Sequence, residues 1–126
     1  MKTELSDGEW RLMKVLWSSG SMTIAQLTGA LKEGTGWSRH TVISMLSRLE
    51  TKGVVRYQSN GRAKVYSPVL RQEDAVQREA NRFLNKVFDG RIGVMLNAMM
   101  DSCPLTREDL EELSAILEKA KEESHD

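Results

Sequence analysis

WSRHTVISMLSRLETKGVVRYQSNGRAKVYSP, residues 37 to 68, contains the change of period that decides the fold of this chain. From Ser38 to about Lys52 the apolar residues follow the 3.6-residue spacing of a helix, which puts Val42, Met45, Leu46 and Leu49 on one inward face. His40, Ser44, Ser47, Arg48 and Thr51 fall on the opposite side. Long residues of mixed charge are usual on an idle solvent face, whereas short hydroxyls with His and Arg let another surface approach closely. Gly53 ends the helix. The period then drops to 2: Val55, Tyr57, Ala63, Val65 and Ser67 alternate with Arg56, Gln58, Arg62 and Lys64, and the turn signal Asn60-Gly61 sits between the two runs. Pro68, which has no amide to donate, stops this basic ribbon.

Upstream, Ser6 with Glu9 has capping-box spacing, and Trp10, Met13, Leu16 and Trp17 recur at helical intervals, so the pattern predicts a helix over about 7 to 18 closed by Gly20. Thr23 with Gln26 repeats the cap, and Ile24, Leu27 and Leu31 predict a short second helix that ends before the Gly34, Gly36 pair. Downstream, Val76, Ala80, Phe83, Leu84 and Val87 stripe a helix over about 72 to 88 that stops at Asp89-Gly90. Ile92, Val94, Met95, Leu96, Met99 and Met100 mark a shorter one over roughly 91 to 100. Pro104 interrupts it. Thr106 with Asp109 caps a last helix, striped by Leu110, Leu113, Ile116 and Leu117, that runs to about Ser124. The fold class is therefore mostly α with a small β-hairpin. Three helices followed by a basic hairpin is the order of a winged helix-turn-helix, predicted for residues 1 to 70, and residues 71 to 126 form a helical segment suited to dimerisation.

Net charge is zero, but the charge is segregated. Residues 1 to 67 hold ten Lys and Arg against five acids, and residues 68 to 126 hold eight against thirteen. A basic half on an acidic half implies one surface made for an anion and another for something else. From residue 39 to 64 the charges are Arg39, Arg48, Lys52, Arg56, Arg62 and Lys64 against Glu50 alone, a pattern that fits a phosphate footprint. Arg62 and Lys64 on the wing supply affinity by counterion release, while His40, Thr41, Ser44 and Arg48 are the candidates for base edges. Trp37, Ser38, Arg39, Ser47 and Gly61 complete the expected DNA-contacting set.

Other readings of these residues are weaker. Trp10 and Trp17 lie in the apolar pattern of the first helix and are core residues. For Trp37 two readings stay open, packing and contact with a phosphate. Met95, Met99 and Met100 at helical spacing suit adaptable packing across a dimer interface better than soft-metal ligation. With Cys103 alone, and only His40 and His125 beside it, neither a disulfide nor a zinc site can be assembled, so no cofactor or metal is expected. No phosphate loop or nucleophile with a base is present, which argues against an enzyme. No apolar run spans a bilayer, and MKTELSDGEW lacks an apolar signal core, so the chain is expected in the cytoplasm without membrane insertion. The competing function is a winged-helix module for protein contacts.

SDGEWRLMKVLW, WSRHTVISMLSRLETKGVVRY, GRAKVYSP and FLNKVFDG together resemble the penicillinase-repressor and methicillin-resistance-repressor family (BlaI/MecI type) over about residues 5 to 120. Trp37, Thr41, Met45 to Leu49, and Gly61-Arg62 stand at the hallmark positions of its recognition helix and wing. The resemblance implies a repressor that binds double-stranded DNA as a homodimer with interlocked C-terminal helices, on a palindrome of TACA and TGTA half-sites. On this reading Phe83, Leu84, Val87, Met95, Leu96, Met99, Leu110, Leu113, Ile116 and Leu117 form the dimer interface. The copper-responsive branch ends in a cysteine cluster; this chain ends EKAKEESHD. The antibiotic-responsive branch is inactivated by a membrane-linked sensor protease at an Asn-Phe bond, and Asn97-Ala98 occupies that place here.

Overall fold

Three capping boxes begin helices where the sequence places them, with the Ser6, Thr23 and Thr106 hydroxyls accepting from the amides of Glu9, Gln26 and Asp109 while those side chains accept from the cap amides. The computed structural model describes residues 4 to 124, so His125 lies outside the described residues. Its elements are α1 (Asp7–Ser19), β1 (Met22–Thr23), α2 (Ile24–Thr35), α3 (Arg39–Thr51), β2 (Val55–Asn60), β3 (Ala63–Pro68), α4 (Gln72–Phe88), α5 (Ile92–Ser102) and α6 (Arg107–Glu123). The chain divides into two compact units between Ala80 and Asn81, inside α4.

In the first unit α1, α2 and α3 enclose Leu12, Met13, Leu16, Leu27, Val42, Leu46 and Leu49, all at 0% exposure. Each such side chain contributes about 1.5–3 kcal/mol by leaving water. Trp10 and Trp17 meet edge to face, with ring centroids 5.6 Å apart, and pack on this core as expected. The Trp17 indole Nε1 also donates to the Leu70 carbonyl at 2.9 Å, fastening α1 to the segment that leads into α4.

Four features differ from the sequence reading. The second helix continues through Gly34 and ends at Gly36, because only Gly36 needs the left-handed backbone (φ 68°), and the Gly34 carbonyl accepts from Arg11 at 3.0 Å. The sheet has three strands in the order β1-β3-β2, all antiparallel. β1 is too short to show a period, and its Thr23 both pairs with Val65 and caps α2. In the hairpin, Asn60 pairs with Ala63, so the two turn residues are Gly61-Arg62 and not Asn60-Gly61. Gly61 alone has positive φ (67°), the type II′ pattern with glycine first. That register sets Tyr66, not Val65, opposite Tyr57, and Tyr66 is the buried residue of β3. Ala63, Val65 and Ser67 therefore share a face with Asn60, Gln58 and Arg56.

The second unit contains the end of α4, with α5 and α6. None of its described residues is buried; Leu84, Phe88, Met95, Leu96, Leu105 and Leu113 are half-buried, and the other large apolar side chains stay open to solvent, from Val94 at 39% to Leu117 at 57%. Fewer than fifty residues rarely enclose a core unaided.

Among the described residues the one buried charge is Glu9, at 0% exposure. Burial alone would push its carboxyl up, but the Lys52 ammonium at 2.6 Å and the Ser6 amide at 2.7 Å outweigh this and hold it below the usual glutamate value. Its stabilising effect is therefore complete above the ordinary glutamate range and is lost as pH falls through the depressed folded value. Glu9→Gln is expected to cost about 1–3 kcal/mol at pH 7, with the gap to the native protein closing as the pH falls through the depressed folded value. Denaturant titrations across that range measure it, and a gap independent of pH contradicts the assignment.

Candidate nucleic-acid interface

Helix α3 has three exposed sectors. Its inward face is the expected one, Val42, Met45, Leu46 and Leu49, all buried. Directly opposite, His40, Ser44, Ser47 and Thr51 form an exposed stripe one side chain wide. The Thr51 hydroxyl is turned back on the helix, donating to the Ser47 carbonyl at 3.0 Å. Ser38 is the N-cap: its Oγ accepts from the Thr41 amide and lies 3.2 Å from the Thr41 hydroxyl. With these two at the helix entrance, the stripe begins with hydrogen-bonding groups, Ser38 exposed and Thr41 half-buried, and contains no acid.

On one flank are Arg48 and Lys52. Lys52 donates to Glu9 and, at 2.8 Å, to the Glu4 carbonyl, so it serves the fold. Arg48 is 58% exposed but leans the same way, its Nε 3.9 Å from Glu9 Oε2 and one terminal nitrogen 3.6 Å from the Met45 sulfur. A base-reading role for Arg48 requires it to leave this pair, a constraint that helical spacing could not reveal.

On the other flank are Arg39, Ile43 and Glu50. Arg39 lines a groove of about 420 Å³ together with Thr23, Ile24 and Ala25 at the start of α2 and Arg62, Ala63 and Lys64 at the wing tip. Three cations thus border a concavity whose lining also includes the first residues of α2, the end of the helix that carries partial positive charge. The wing's charges are divided by the hairpin register. Lys64 lies 4.3 Å above the Tyr57 ring on one face, Arg56 pairs with Ser67 on the other, and Arg62 sits exposed at the apex beside Gly61. Sequence reasoning grouped Arg56, Arg62 and Lys64 on one side; the two-residue turn separates them. It also missed Thr23 to Ala25 as part of the groove, and Ile43, whose exposure no periodic pattern announced.

Trp37 is half-buried and packs against the core. Its ring approaches Gly8 so closely that a Cβ there would lie 3.4 Å from the indole and 2.4 Å from the Met45 methyl. Trp37 therefore packs on the core with part of its ring still open to solvent. In the second unit, Phe83, Val87, Met99, Leu110, Ile116 and Leu117 are exposed, while Leu84, Met95, Leu96 and Leu113 are half-buried. Leu96, Met99 and Leu113 join Met100 and Leu105 along an apolar groove of about 270 Å³ rimmed by Asp109 and Glu112. Asn97 and Ala98 are exposed on α5, and Cys103 is exposed just beyond it. Among the described residues no helix is long and apolar enough to cross a membrane.

Comparison with known proteins agrees with this arrangement. The family model for the penicillinase repressor matches residues 5–119. The penicillinase repressor of Bacillus licheniformis is 31% identical over 118 residues, covering 94% of this chain and 92% of its own. Among solved structures, the DNA-binding domain of the repressor BlaI superposes with a TM-score of 0.53 at 34% identity, covering 59% of this chain and 93% of that one. The monomeric form of Bacillus licheniformis BlaI in complex with the blaP half-operator gives a TM-score of 0.51 at 34% identity, over 56% of this chain and 87% of that one. With the winged-helix order of elements and a match along nearly the whole sequence, the chain belongs to the penicillinase repressor family.

Proposed function

We propose that this protein is a transcriptional repressor, without enzymatic activity, that binds duplex DNA as a homodimer on a palindromic operator with TACA- and TGTA-type half-sites. The observation that carries the reading is the acid-free stripe of α3 beside a groove bordered by Arg39, Arg62 and Lys64. A helix about 10–12 Å across fits the major groove, so with α3 inserted there, Ser44, Ser47 and His40 meet base edges. The wing groove then receives the adjoining phosphates. Serine hydroxyls donate or accept and so adapt to several bases, whereas the cations give affinity without sequence information.

The second unit supplies the partner surface. Its exposed Phe83, Val87, Leu110, Ile116 and Leu117 are covered by a second copy, which brings two α3 helices to successive half-sites. The Asn97-Ala98 bond, in α5 between groove residues Leu96 and Met99, is the point at which a membrane-linked sensor protease cuts and releases the operator. The support for that step is its position and exposure.

Two measurements test the scheme. Replacing Arg39, Arg62 and Lys64 together by Ala is expected to reduce the slope of log affinity against log salt by about 2.7 per protomer, one phosphate per cation. An unchanged slope points instead to a protein-directed surface. Leu113→Asp places a charge in the apolar groove and is expected to convert the dimer to monomers in sedimentation at micromolar concentration. Operator affinity then falls with it, by tenfold for each 1.4 kcal/mol of lost contact. An intact Leu113→Asp dimer removes this residue from the interface.

A further inference from the structure

Ile43 is the one apolar residue of α3 that its fold does not absorb. Val42, Leu46 and Leu49 are fully buried and Met45 is at 8%, whereas Ile43 keeps 40% of its surface open. It lies in the first half of the helix, between Arg39 one turn before and Ser47 one turn after, and borders the exposed Ser44. Every other exposed residue of α3 can form hydrogen bonds. A lone exposed aliphatic group is ordinary on an idle surface. On the flank of a stripe built from hydroxyls and imidazole, beside Arg39 and Glu50, it is matched to neither a phosphate nor a polar base edge.

The major groove presents one apolar group, the C5 methyl of thymine. Ile43 is β-branched, so in a helix its χ1 is held in one rotamer and little side-chain freedom is lost on contact. We propose that Ile43 is a specificity-determining residue that packs on the C5 methyl of one thymine in each half-site, so that T·A is preferred there over the other three pairs. The inference rests on α3 entering the major groove as set out above.

Replacing a thymine by deoxyuridine removes the methyl and leaves every hydrogen-bonding group in place. Duplexes selected from a random pool by the full-length protein are therefore remade with each thymine exchanged singly. At one thymine per half-site the exchange is expected to weaken binding by native protein about fourfold, the effect of one buried methyl. For Ile43→Ala protein the same exchange changes affinity by less than about 1.5-fold, and Ile43→Val retains most of the native penalty. Absence of any methyl effect, or an effect of equal size in Ile43→Ala protein, overturns the assignment while leaving DNA binding intact. A native protein that selects no duplex overturns the DNA-binding reading itself, a result that cannot be confused with the other two. Alanine is the stronger helix former, so an unchanged or raised thermal midpoint of Ile43→Ala separates a lost contact from a lost fold.

Discussion

The carboxylate of Glu9 holds the first unit in register. It closes the cap of α1 by accepting from the Ser6 amide, and its charge is answered by Lys52 at the far end of α3. A buried ion is tolerated only when its oxygens are satisfied, and here Oε1 has both partners while Oε2 has no hydrogen bond and only Arg48 at 3.9 Å. The start of α1 and the end of α3 are therefore fixed to each other by one side chain. Apolar burial gives most of the free energy, but it is non-directional and permits α3 to slide or roll by small amounts. The ion pair removes that freedom, because a shift of a few tenths of an ångström lengthens a bond made in a poorly solvated place. The rotational setting of α3, and so the stripe it shows to solvent, follows from this contact.

A second constraint acts at the wing. Two residues, Gly61 and Arg62, join β2 to β3, and the pairing of Asn60 with Ala63 propagates along the ribbon. Tyr66 is thereby turned inward beside Tyr57, their rings 5.6 Å apart, and Lys64 is drawn over Tyr57. Had the turn been Asn60-Gly61, the pairing would have slid by two residues, setting Lys64 opposite Tyr57 and Tyr66 opposite Val55; the inward face of β3 would be kept, but its side chains would be displaced along the ribbon relative to the α2 groove. The short β1 secures the outer edge of β3, and through Thr23 it also fixes where α2 begins. The groove bordered by Arg39, Arg62 and Lys64 is the joint product of the turn, the extra strand and the helix cap.

Sequence reasoning recovered what depends on local chemistry. Capping boxes at Ser6, Thr23 and Thr106, the inward set of α3, the alternation beyond Gly53 and the stop at Asp89-Gly90 are all written in neighbouring residues. It was less successful where a residue's role is set from a distance. Arg48 was read as a candidate for a base edge, and Glu9, thirty-nine positions earlier, draws its guanidinium to 3.9 Å. Trp37 was ambiguous because its environment is made by Gly8 and Met45 from two different helices. Gly34 was taken as a helix end, and the Arg11 contact that occupies its carbonyl could not be foreseen. Ile43 escaped notice because a periodic pattern reports what is buried and is silent about an apolar residue left outside.

The acidic second unit explains why the chain carries a zero net charge although its first unit is basic. Local potential, not total charge, is felt by a phosphate within a Debye length of about 8 Å, so the zero net charge of the chain does not describe the field at a wing whose own charges are Arg56, Arg62 and Lys64. The acids beyond Asn81 favour the solubility of a unit in which Phe83, Val87, Ile92, Leu110, Ile116 and Leu117 stay exposed until a partner covers them. In the proposed dimer, the energy of covering that surface is coupled to DNA binding, because a second reading head acts at high effective concentration only while the two copies are joined. Control can then be exerted at α5 or α6 without altering any residue of α3. Breaking the association leaves each head folded, with its Glu9 lock and wing groove unchanged, yet returns it to the weaker affinity of a single half-site.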